Sequence, residues 1–293
     1  MALTKLSTDI IDLSSNAGAL TIPSGTTGPD TTDTTGTCNY PTTATALYQF
    51  ENTPNATCGP NPSNGVSGAI TQNLTYVAGV PQLGASEKAV DFNGTNSYWM
   101  SNTSIIDAQQ NMSISLWVKF DVFIDTSYLW TSYITGDMVL YVGADGIIIG
   151  NVWNGGSQNV SSSALSTSTW YHVVFTRSTS NGMVLYINGA SVSTNSNTTS
   201  PSVHATPNYD TIGMYGHRPL NNGYRAEFNG QIDQFRAFQS ELTTDQVTDL
   251  YNETNVTSTS ARPSSPTEGL MRENTTTGKM EFYDGSLWQE ITD

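Results

Sequence analysis

Short apolar runs separated by turn-forming residues dominate the middle of the chain. The runs that alternate apolar and polar side chains are residues 46–50, 89–92 and 113–120. This period of two buries one face of a β-strand and leaves the other to solvent. The runs that are more continuously apolar, but short and rich in β-branched and aromatic residues, are 138–142, 170–177 and 183–187. The pattern predicts strands through most of this region.

Asn-Gly and Asp-Gly pairs separate or end these runs. They occur at residues 93–94, 145–146, 181–182, 188–189 and 229–230. A two-residue type I′ turn needs positive φ at both central positions, which Asn or Asp followed by Gly tolerates best. Many short strands, tight turns and little helical periodicity predict an all-β fold in which two antiparallel sheets pack as a sandwich.

One helix is predicted near the end of the strand-rich region. Thr243 and Gln246 have the spacing of a capping box, in which each side chain bonds the backbone N–H of the other residue. Val247, Leu250 and Tyr251 then fall on one helical face. We expect a short helix that covers the end of the sandwich as a lid.

Large aromatic residues of the strand-like segments are expected to fill the sandwich core. They are Trp117, Trp170, Phe175 and Phe235. His172 lies between Tyr171 and Val173 in the same kind of segment, so a structural role is expected for it rather than a catalytic one.

Charged residues make up only 12% of the chain, which argues against helical bundles, whose exposed faces usually carry Glu and Lys. The net charge of −15 and the ten Lys and Arg residues argue against nucleic-acid binding, which depends on basic side chains that displace counterions from phosphates. No apolar run approaches the roughly 20 residues that span a bilayer. The first residues lack the continuous apolar stretch of a secretory signal. We therefore expect no nucleic-acid partner, no membrane insertion and no export by this route.

Composition divides the chain into three parts. Residues 1–36 are interpreted as an N-terminal anchoring segment and linker, because they end in a run of Gly, Thr, Asp and Pro. Residues 37–256 hold most of the apolar side chains. Residues 257–293 are interpreted as a second linker followed by a small C-terminal module.

The chain has two cysteines, Cys38 and Cys58. A disulfide between them would close a loop of about 20 residues, which contributes roughly 3 kcal/mol when it is unstrained. No His-Cys cluster with zinc spacing surrounds them, so a zinc site is not expected. Both a disulfide and two reduced thiols remain open.

Five motifs in the strand-rich region resemble, in order, those of LamG-like jelly rolls in the concanavalin A-like lectin superfamily. They are Ala46-Leu-Tyr-Gln-Phe-Glu-Asn52, Ala89-Val-Asp-Phe-Asn-Gly94 with Tyr98, Met112-Ser-Ile-Ser-Leu-Trp-Val-Lys119, Trp170-Tyr-His-Val-Val174 with Leu185-Tyr-Ile-Asn-Gly189, and Ile212-Gly213 with Phe228-Asn-Gly-Gln-Ile-Asp-Gln-Phe-Arg-Ala-Phe238 and Leu242 to Tyr251. The resemblance implies a lectin-like jelly roll.

The C-terminal residues resemble a short module of tailed-phage fibre and structural proteins. The matching pieces are Arg262-Pro-Ser-Ser-Pro266, Gly269-Leu-Met-Arg272 and Phe282-Tyr-Asp-Gly285, while Glu273 stands where that family usually has an aromatic residue. In that family the module is commonly preceded by a segment like Leu20-Thr-Ile-Pro-Ser-Gly-Thr-Thr27. The resemblance implies that the jelly roll is inserted into one module, so we expect residues 20–27 and 261–293 to lie together.

Jelly rolls of this superfamily often hold Ca²⁺, a hard cation that takes about six to eight oxygen ligands. Glu51, Asp91, Asn93 and Asp233 occupy predicted strand ends or turns where such ligands can converge, so the resemblance implies a calcium site there. In the alternative, which we slightly prefer, Asp233 caps a turn and Asp91 faces solvent.

A glycan site needs exposed aromatic rings and hydrogen-bonding neighbours. Trp153 is the first candidate for the glycan, and Tyr215, His217, Arg218 and Tyr224 of one loop come next. Each of them taken alone fits packing or an interface better.

Glycoside hydrolases on this fold cluster carboxylates on one strand, because two carboxyl groups about 5–9 Å apart share the acid and base or nucleophile work. The nearest pair here, Glu227 and Asp233, has the wrong spacing and an intervening turn. The sequence has no Gly-x-Ser-x-Gly, Walker or His-Glu-x-x-His motif. We expect a protein without enzymatic activity.

These observations predict a surface protein of a bacteriophage virion, either a capsid decoration protein or a head or tail fibre protein. Its termini are expected to bind other capsid or tail proteins in a homo-oligomer, with a trimer favoured. Its jelly roll is expected to stabilise the particle, to adhere weakly to a host-surface glycan with avidity from many copies, or to do both. The alternatives are a secreted carbohydrate-binding or adhesion module and a glycan-degrading enzyme.

Overall fold

The computed structural model describes residues 38, 41–59, 71–81, 83, 87–101, 104–132, 137–203, 210–215, 226–253, 271–274 and 279–290. These residues form two large antiparallel sheets, a helix and a small three-stranded sheet. The predicted all-β sandwich is confirmed.

The eight-stranded sheet contains β1 (Ala46–Tyr48), β3 (Thr75–Ala78), β4 (Lys88–Asn93), β6 (Met112–Phe120), β11 (Trp170–Ser178), β12 (Gly182–Ile187), β13 (Ala190–Asn195) and β15 (Asn229–Phe238). Its order is β13-β12-β11-β6-β15-β4-β3, and β1 also pairs with β15. The seven-stranded sheet contains β2 (Thr71–Gln72), β5 (Tyr98–Met100), β7 (Ser127–Ser132), β8 (Met138–Val142), β9 (Ile147–Trp153), β10 (Ser157–Ala164) and β14 (Thr211–Ile212). Its order is β10-β9-β8-β7-β14-β5-β2.

The apolar faces of the two sheets meet in one core. Phe175 and Phe235 are fully buried in it, as the sequence predicts. Phe175 packs against Gly150 of the opposite sheet, where a Cβ atom would lie 2.6 Å from the phenylalanine ring. Glycine at this position therefore lets the two sheets approach, and burial of one such aromatic side chain contributes roughly 1.5–3 kcal/mol.

Trp117 and Trp170 lie outside this core, so their expected placement was wrong. Successive side chains of a strand point to opposite faces, and Trp117 lies between two core residues of β6. It stacks on Tyr251 on the outer face, with ring centroids 5.8 Å apart. Trp170 is half-buried on the same face, and the Nζ atom of Lys119 lies 5.3 Å from its ring centroid.

The predicted helix is present as α1 (Thr244–Asn252), and both hydrogen bonds of its capping box form between Thr243 and Gln246. Val247 and Leu250 pack against buried apolar residues of β11, β12 and β15. These residues face away from the main core, so the helix covers the outer face of the eight-stranded sheet. The expectation of a lid at the end of the sandwich was wrong.

Two of the predicted Asn-Gly turns illustrate opposite outcomes. Asn188 and Gly189 join β12 to β13 with φ values of 51° and 79°, as a type I′ turn requires. Asn229 and Gly230 begin strand β15 instead of ending a strand. A Cβ atom at Gly230 would lie 2.2 Å from the carbonyl oxygen of Lys119, so glycine is needed there for close approach of β6.

The described chain enters and leaves on the same side of the sandwich. Ala44 belongs to the buried cluster that contains Val247 and Leu250 of α1. At the end of α1, the guanidinium group of Arg236 binds the carboxylate of Glu253, with Nη1–Oε2 and Nη2–Oε1 distances of 2.5 and 2.9 Å. The described chain therefore enters at Ala44 and leaves at Glu253 on the side of the eight-stranded sheet.

Cys38 and Cys58 are bonded to each other in the structure, and their Cα atoms lie 6.1 Å apart. Cys58 also forms an isolated antiparallel bridge with Leu47. The bond thus ties the entering chain to β1.

The C-terminal residues form a three-stranded sheet of β16 (Met271–Asn274), β17 (Lys279–Tyr283) and β18 (Trp288–Glu290). The rings of Tyr283 and Trp288 lie opposite each other with centroids 5.6 Å apart. Residues 20–27 and 261–270, which the split-module hypothesis joins to this sheet, lie outside the described residues.

Within the described part of the chain, none of the helical structure is long and apolar enough to span a bilayer.

Candidate functional site

The outer face of the seven-stranded sheet carries neighbouring aromatic side chains. In β9, Ile148 and Val152 belong to the core, so Ile149 points outward. Tyr141 of β8 is the register partner of Ile149, and Tyr128 of β7 is the partner of Tyr141. The three side chains therefore lie side by side across three strands.

Tyr215 extends this group after strand β14. Its ring centroid lies 4.7 Å from that of Tyr128, which in turn lies 5.5 Å from that of Tyr141. All three rings are half-buried. We call Tyr128, Tyr141 and Tyr215 the tyrosine row. It presents apolar ring surface together with phenolic hydroxyl groups that can donate and accept hydrogen bonds.

The hydroxyl group of Tyr141 remains protonated at neutral pH. Burial raises the pKa of Tyr141, and the nearby carboxylate of Asp145 raises it further. A neutral phenol is a hydrogen-bond donor as well as an acceptor.

The loop that follows Tyr215 is anchored at the tyrosine row at both of its ends. Tyr215 contacts Tyr128 at the start, and the carbonyl oxygen of Ala226 accepts a hydrogen bond of 3.3 Å from the backbone N–H of Tyr128 at the end. Of the predicted glycan residues in this loop, Tyr215 is thus part of the row. His217, Arg218 and Tyr224 lie outside the described residues.

Trp153 is separate from the tyrosine row. It points to the same outer face and is 42% exposed, but it lies four residues beyond Ile149, which corresponds to about 13 Å along the strand. Val139 and Asn151, which lie between the two positions, are buried. The structure therefore offers two distinct aromatic positions on this face rather than one continuous site.

Sequence reasoning missed Tyr128 and Tyr141. Tyr141 lies between two core residues of β8, so strand periodicity is a signal for its outward orientation. In β7 the consecutive residues Leu129 and Trp130 both enter the core, so periodicity gives no such signal for Tyr128. The contact of Tyr128 with Tyr141 depends on the register between β7 and β8, in which a bulge falls between Tyr128 and Trp130. A bulge of this kind is not readable from one sequence.

A group of carboxylates lies at the other sheet. Glu51 follows β1, Glu87 precedes β4 and Asp233 lies within β15; we call these three residues the acidic cluster. Both carboxylate oxygens of Glu51 accept from the backbone N–H of Lys88 at 3.2 Å. Burial raises the pKa of Glu87 to about 8, and a hydrogen bond to Glu51 and repulsion from its charge act in the same direction.

Asp233 is the most deeply buried member of the acidic cluster. Burial raises its pKa to about 8. Its Oδ2 atom accepts from the backbone N–H of Val80 at 3.0 Å, whereas its Oδ1 atom has no hydrogen-bond partner among the described residues. A Cβ atom at Gly79 would lie 2.6 Å from Oδ2, so the backbone can approach this carboxylate only because residue 79 is glycine.

These features suit a hard cation. Oxygen donors from carboxylates and backbone carbonyls are the ligands that Ca²⁺ prefers, and the unpartnered Oδ1 atom of Asp233 is one such donor. Across the described ranges, however, no three His, Cys, Asp or Glu side chains converge as a ready-made metal site. A cation here would need backbone oxygens to complete its shell.

The structure does not bring all four predicted calcium ligands together. Asp91 lies further along β4, where its carboxylate accepts from the amide of Gln231 at 2.5 Å and the hydroxyl of Thr75 at 3.3 Å. Asn93 closes a local turn by accepting from the backbone N–H groups of Thr95 and Asn96. Only Glu51 and Asp233 of the predicted set belong to the acidic cluster, and Glu87 was missed.

The two-sheet architecture agrees with a comparison against protein families. Residues 93–248 match a family model described as the concanavalin A-like lectin/glucanases superfamily. The chain belongs to this superfamily. No curated protein sequence matches the chain.

Three solved structures illustrate which proteins have a fold similar to that of this chain. The binding domain of botulinum neurotoxin DC in complex with SialylT is 16% identical, with a TM-score of 0.51 over 73% of this chain and 52% of that one. Domain 4 of AbnA, a GH43 extracellular arabinanase from Geobacillus stearothermophilus, in complex with arabinotriose, is 23% identical, with a TM-score of 0.51 over 71% of this chain and 98% of that one. The binding domain of Paraclostridial mosquitocidal protein 1 is 18% identical, with a TM-score of 0.50 over 63% and 46% of the two chains.

These likenesses concern the fold alone. This chain spans about half the length of the neurotoxin and mosquitocidal binding domains, which it covers to 52% and 46%. The chemistry of the site must therefore be argued from this chain's own residues.

Proposed function

We propose that the protein is a glycan-binding module without enzymatic activity and that its ligand lies on the tyrosine row. The observation that carries the proposal is the contact of Tyr128 with both Tyr141 and Tyr215 on one half-exposed sheet face. Apolar faces of sugar rings pack on aromatic rings, while phenolic hydroxyl groups bond the sugar hydroxyls around them.

Two structures with this fold support a glycan as the ligand class. Domain 4 of AbnA was solved with arabinotriose, and the neurotoxin binding domain with SialylT. In those proteins the fold therefore accompanies glycan binding, and the tyrosine row supplies suitable chemistry in this chain.

The absence of enzymatic activity is proposed from the position of the carboxylates. Glycoside hydrolysis needs two carboxyl groups on either side of the scissile bond. The acidic cluster belongs to the eight-stranded sheet, whereas the tyrosine row lies on the outer face of the opposite sheet, so the cluster cannot reach a ligand bound there.

In this proposal the module is displayed on a bacteriophage virion, as a capsid decoration or fibre protein. Its terminal segments bind other virion proteins and form a homo-oligomer, with a trimer favoured. The phage-like pattern of residues 261–293 supports this context. The positions of Ala44 and Glu253 on the side away from the tyrosine row also support it, because a support held there leaves the row accessible.

A secreted carbohydrate-binding module would use the same tyrosine row. Mass spectrometry of purified phage particles separates the two contexts, because only a virion protein stays with intact particles. A reducing-sugar assay on any bound glycan separates both from a glycan-degrading enzyme.

Calcium is proposed as a structural ligand of the acidic cluster. Glu51, Glu87 and Asp233, with nearby backbone oxygens, would hold it, and the ion would supply positive charge to a buried acidic site. This role concerns stability and lies apart from the tyrosine row.

The glycan proposal is tested by screening the protein on a glycan array and measuring the best ligand by calorimetry. We expect Tyr128→Ala to weaken binding about tenfold or more, a loss of about 1.4 kcal/mol, because it removes the central ring. Tyr128→Phe should retain most of the affinity, since it keeps the stacking surface. Trp170→Ala is the matched control, because Trp170 is a half-buried aromatic residue on the outer face of the other sheet.

Equal losses in Tyr128→Ala and Trp170→Ala would show that the tyrosine row is not the site. Binding to no glycan on the array would overturn the proposed ligand class. Thermal melting of each variant establishes that the fold is retained.

A further inference from the structure

Asn-Gly pairs are chemically labile because glycine leaves its backbone nitrogen unhindered. The Gly nitrogen can attack the Asn Cγ atom, which expels ammonia and closes a succinimide ring. One water molecule then opens the ring at either carbonyl and leaves aspartate or isoaspartate. The described residues include five such pairs, whose asparagines are Asn93, Asn154, Asn181, Asn188 and Asn229.

Three of these asparagines are held by the fold. The Oδ1 atom of Asn93 accepts from the backbone of Thr95 and Asn96 and from the hydroxyl of Ser97. The Oδ1 atom of Asn188 accepts from the backbone N–H of His172 at 2.9 Å. Asn229 begins β15 and is paired with Asn93. Ring closure at these positions would break strand or turn contacts.

Asn181 is exposed, but its glycine is crowded. A Cβ atom at Gly182 would lie 2.1 Å from the carbonyl oxygen of Asn195, and Gly182 is paired with Ser178 in the β11–β12 hairpin. The glycine nitrogen therefore cannot move toward the side chain without opening the hairpin.

Asn154 differs from all four. It is exposed in the three-residue loop between β9 and β10, and its side chain makes a single exposed hydrogen bond, from Nδ2 to the carbonyl oxygen of Ser200. Apart from chain neighbours, no atom lies within 4 Å of the position that a Cβ would take at Gly155 or at Gly156. The backbone N–H of Asn154 donates to the carbonyl oxygen of Gly156 at 3.2 Å, so the loop can change its backbone by breaking this one bond and without displacing packed atoms.

We propose that Asn154 is a deamidation site of the folded protein and converts before the other described Asn-Gly pairs. The product places a new carboxylate directly after Trp153, the 42% exposed aromatic residue of the same sheet face. Isoaspartate also lengthens the backbone of the β9–β10 loop. The modification thus changes the charge and the shape of the surface around Trp153.

The test is incubation of the purified protein at mildly alkaline pH below its melting temperature, followed by peptide mapping by mass spectrometry and enzymatic labelling of isoaspartate. We expect conversion at Asn154 to be about tenfold faster than at the other four positions, because only this loop reacts without local unfolding. In denaturant, the five pairs should convert at similar rates. Asn154→Ser should remove the leading product, and Asn181→Ser should leave it unchanged.

Earlier conversion at any of the other four asparagines in the folded protein would overturn the assignment. So would an unreacted Asn154 in the folded protein when the denatured chain converts at the same pH. Neither outcome bears on glycan binding, which is measured separately.

Discussion

His172 is a buried imidazole that the surrounding fold keeps neutral. Its Nε2 atom lies 2.9 Å from the hydroxyl oxygen of Ser115, and its ring packs beside Trp117 with centroids 5.2 Å apart. Burial lowers its pKa to about 3, and the positive charge of Arg236 lowers it further. The unfolded chain, in which the pKa is about 6.5, binds a proton that the folded protein excludes.

The difference between the pKa values of His172 in the folded and unfolded chain predicts that this residue makes the fold less stable in acid. As the pH falls below about 6.5, the free energy of unfolding should decrease by up to about 1.4 kcal/mol per pH unit from this group, or about 2 kcal/mol between pH 7 and pH 5. His172→Gln should remove that part of the slope. Urea unfolding of both proteins from pH 7 to pH 5 measures it.

The difference between the two proteins isolates His172, because both contain the same buried carboxyl groups. Since raised carboxyl pKa values act in the opposite direction, the slope of one protein alone is not informative. If the free energy of unfolding fell equally with pH in His172→Gln and in the unmodified chain, the prediction would be contradicted.

Single residues also show the limit of reading this site from sequence. Trp153 could be named because an Asn-Gly-Gly segment follows it directly in the chain. Tyr128, Tyr141 and Tyr215 come from three separate segments and meet only through sheet register. No spacing along the chain marks such a group.

Among the elements, those governed by local periodicity were predictable. The alternation in residues 113–120 identifies β6, and the capping box identifies the start of α1. The position of α1 was not predictable, because an apolar face indicates that a helix packs against another surface but does not identify that surface. The failure at Asn229-Gly230 has a similar cause, since close approach to Lys119 decides the role of that glycine.

The residues of the acidic cluster likewise come from several secondary-structure elements and meet only in the folded chain. Glu51, Glu87 and Asp233 come from the end of β1, the approach to β4 and the interior of β15. Sequence reasoning found two of them through motifs but added Asp91 and Asn93, which lie further along β4. Distance along a strand, at about 3.3 Å per residue, separates these from the cluster.

If a calcium ion binds the acidic cluster, the melting temperature of the protein should depend on calcium. Millimolar Ca²⁺ should raise the melting temperature and EGTA should lower it, since a ligand at a hundred times its dissociation constant adds about 2.7 kcal/mol to the folded state. Glu87→Gln should reduce the calcium effect, because it removes a carboxylate of the cluster. Asp91→Asn is the control and should leave the effect intact.

A thermal melt that neither Ca²⁺ nor EGTA changes would remove calcium from the proposal. If Asp91→Asn abolished a calcium effect that Glu87→Gln preserved, the ion would bind at Asp91 instead.

Across the protein as a whole, the two large sheets carry different features on their outer faces. The outer face of the eight-stranded sheet carries α1, the entering chain at Ala44 and the exit at Glu253. The outer face of the seven-stranded sheet carries the tyrosine row and Trp153. In the proposed function, attachment and glycan binding therefore use opposite sides of one sandwich.

The common entry and exit side supports the hypothesis that residues 20–27 and 261–293 form one module. Protease sites engineered into residues 30–34 and 257–260 should release the jelly roll while leaving the N-terminal piece bound to the C-terminal piece. Size-exclusion chromatography of the cleaved protein measures this. Separate elution of the two terminal pieces would contradict the split-module hypothesis, and a site in only one linker is the control for cleavage itself.

Ala44 shares a buried cluster with Leu250 of α1, and this has a consequence for how such a protein can vary. When both ends of a domain leave on the same side, the domain can be deleted and its flanking segments joined directly. It can also be replaced by an unrelated sandwich, and in both cases the flanking segments keep their positions. If the proposed function holds, recombination at the two borders of the jelly roll would exchange the glycan that is bound while the attached terminal segments stay the same.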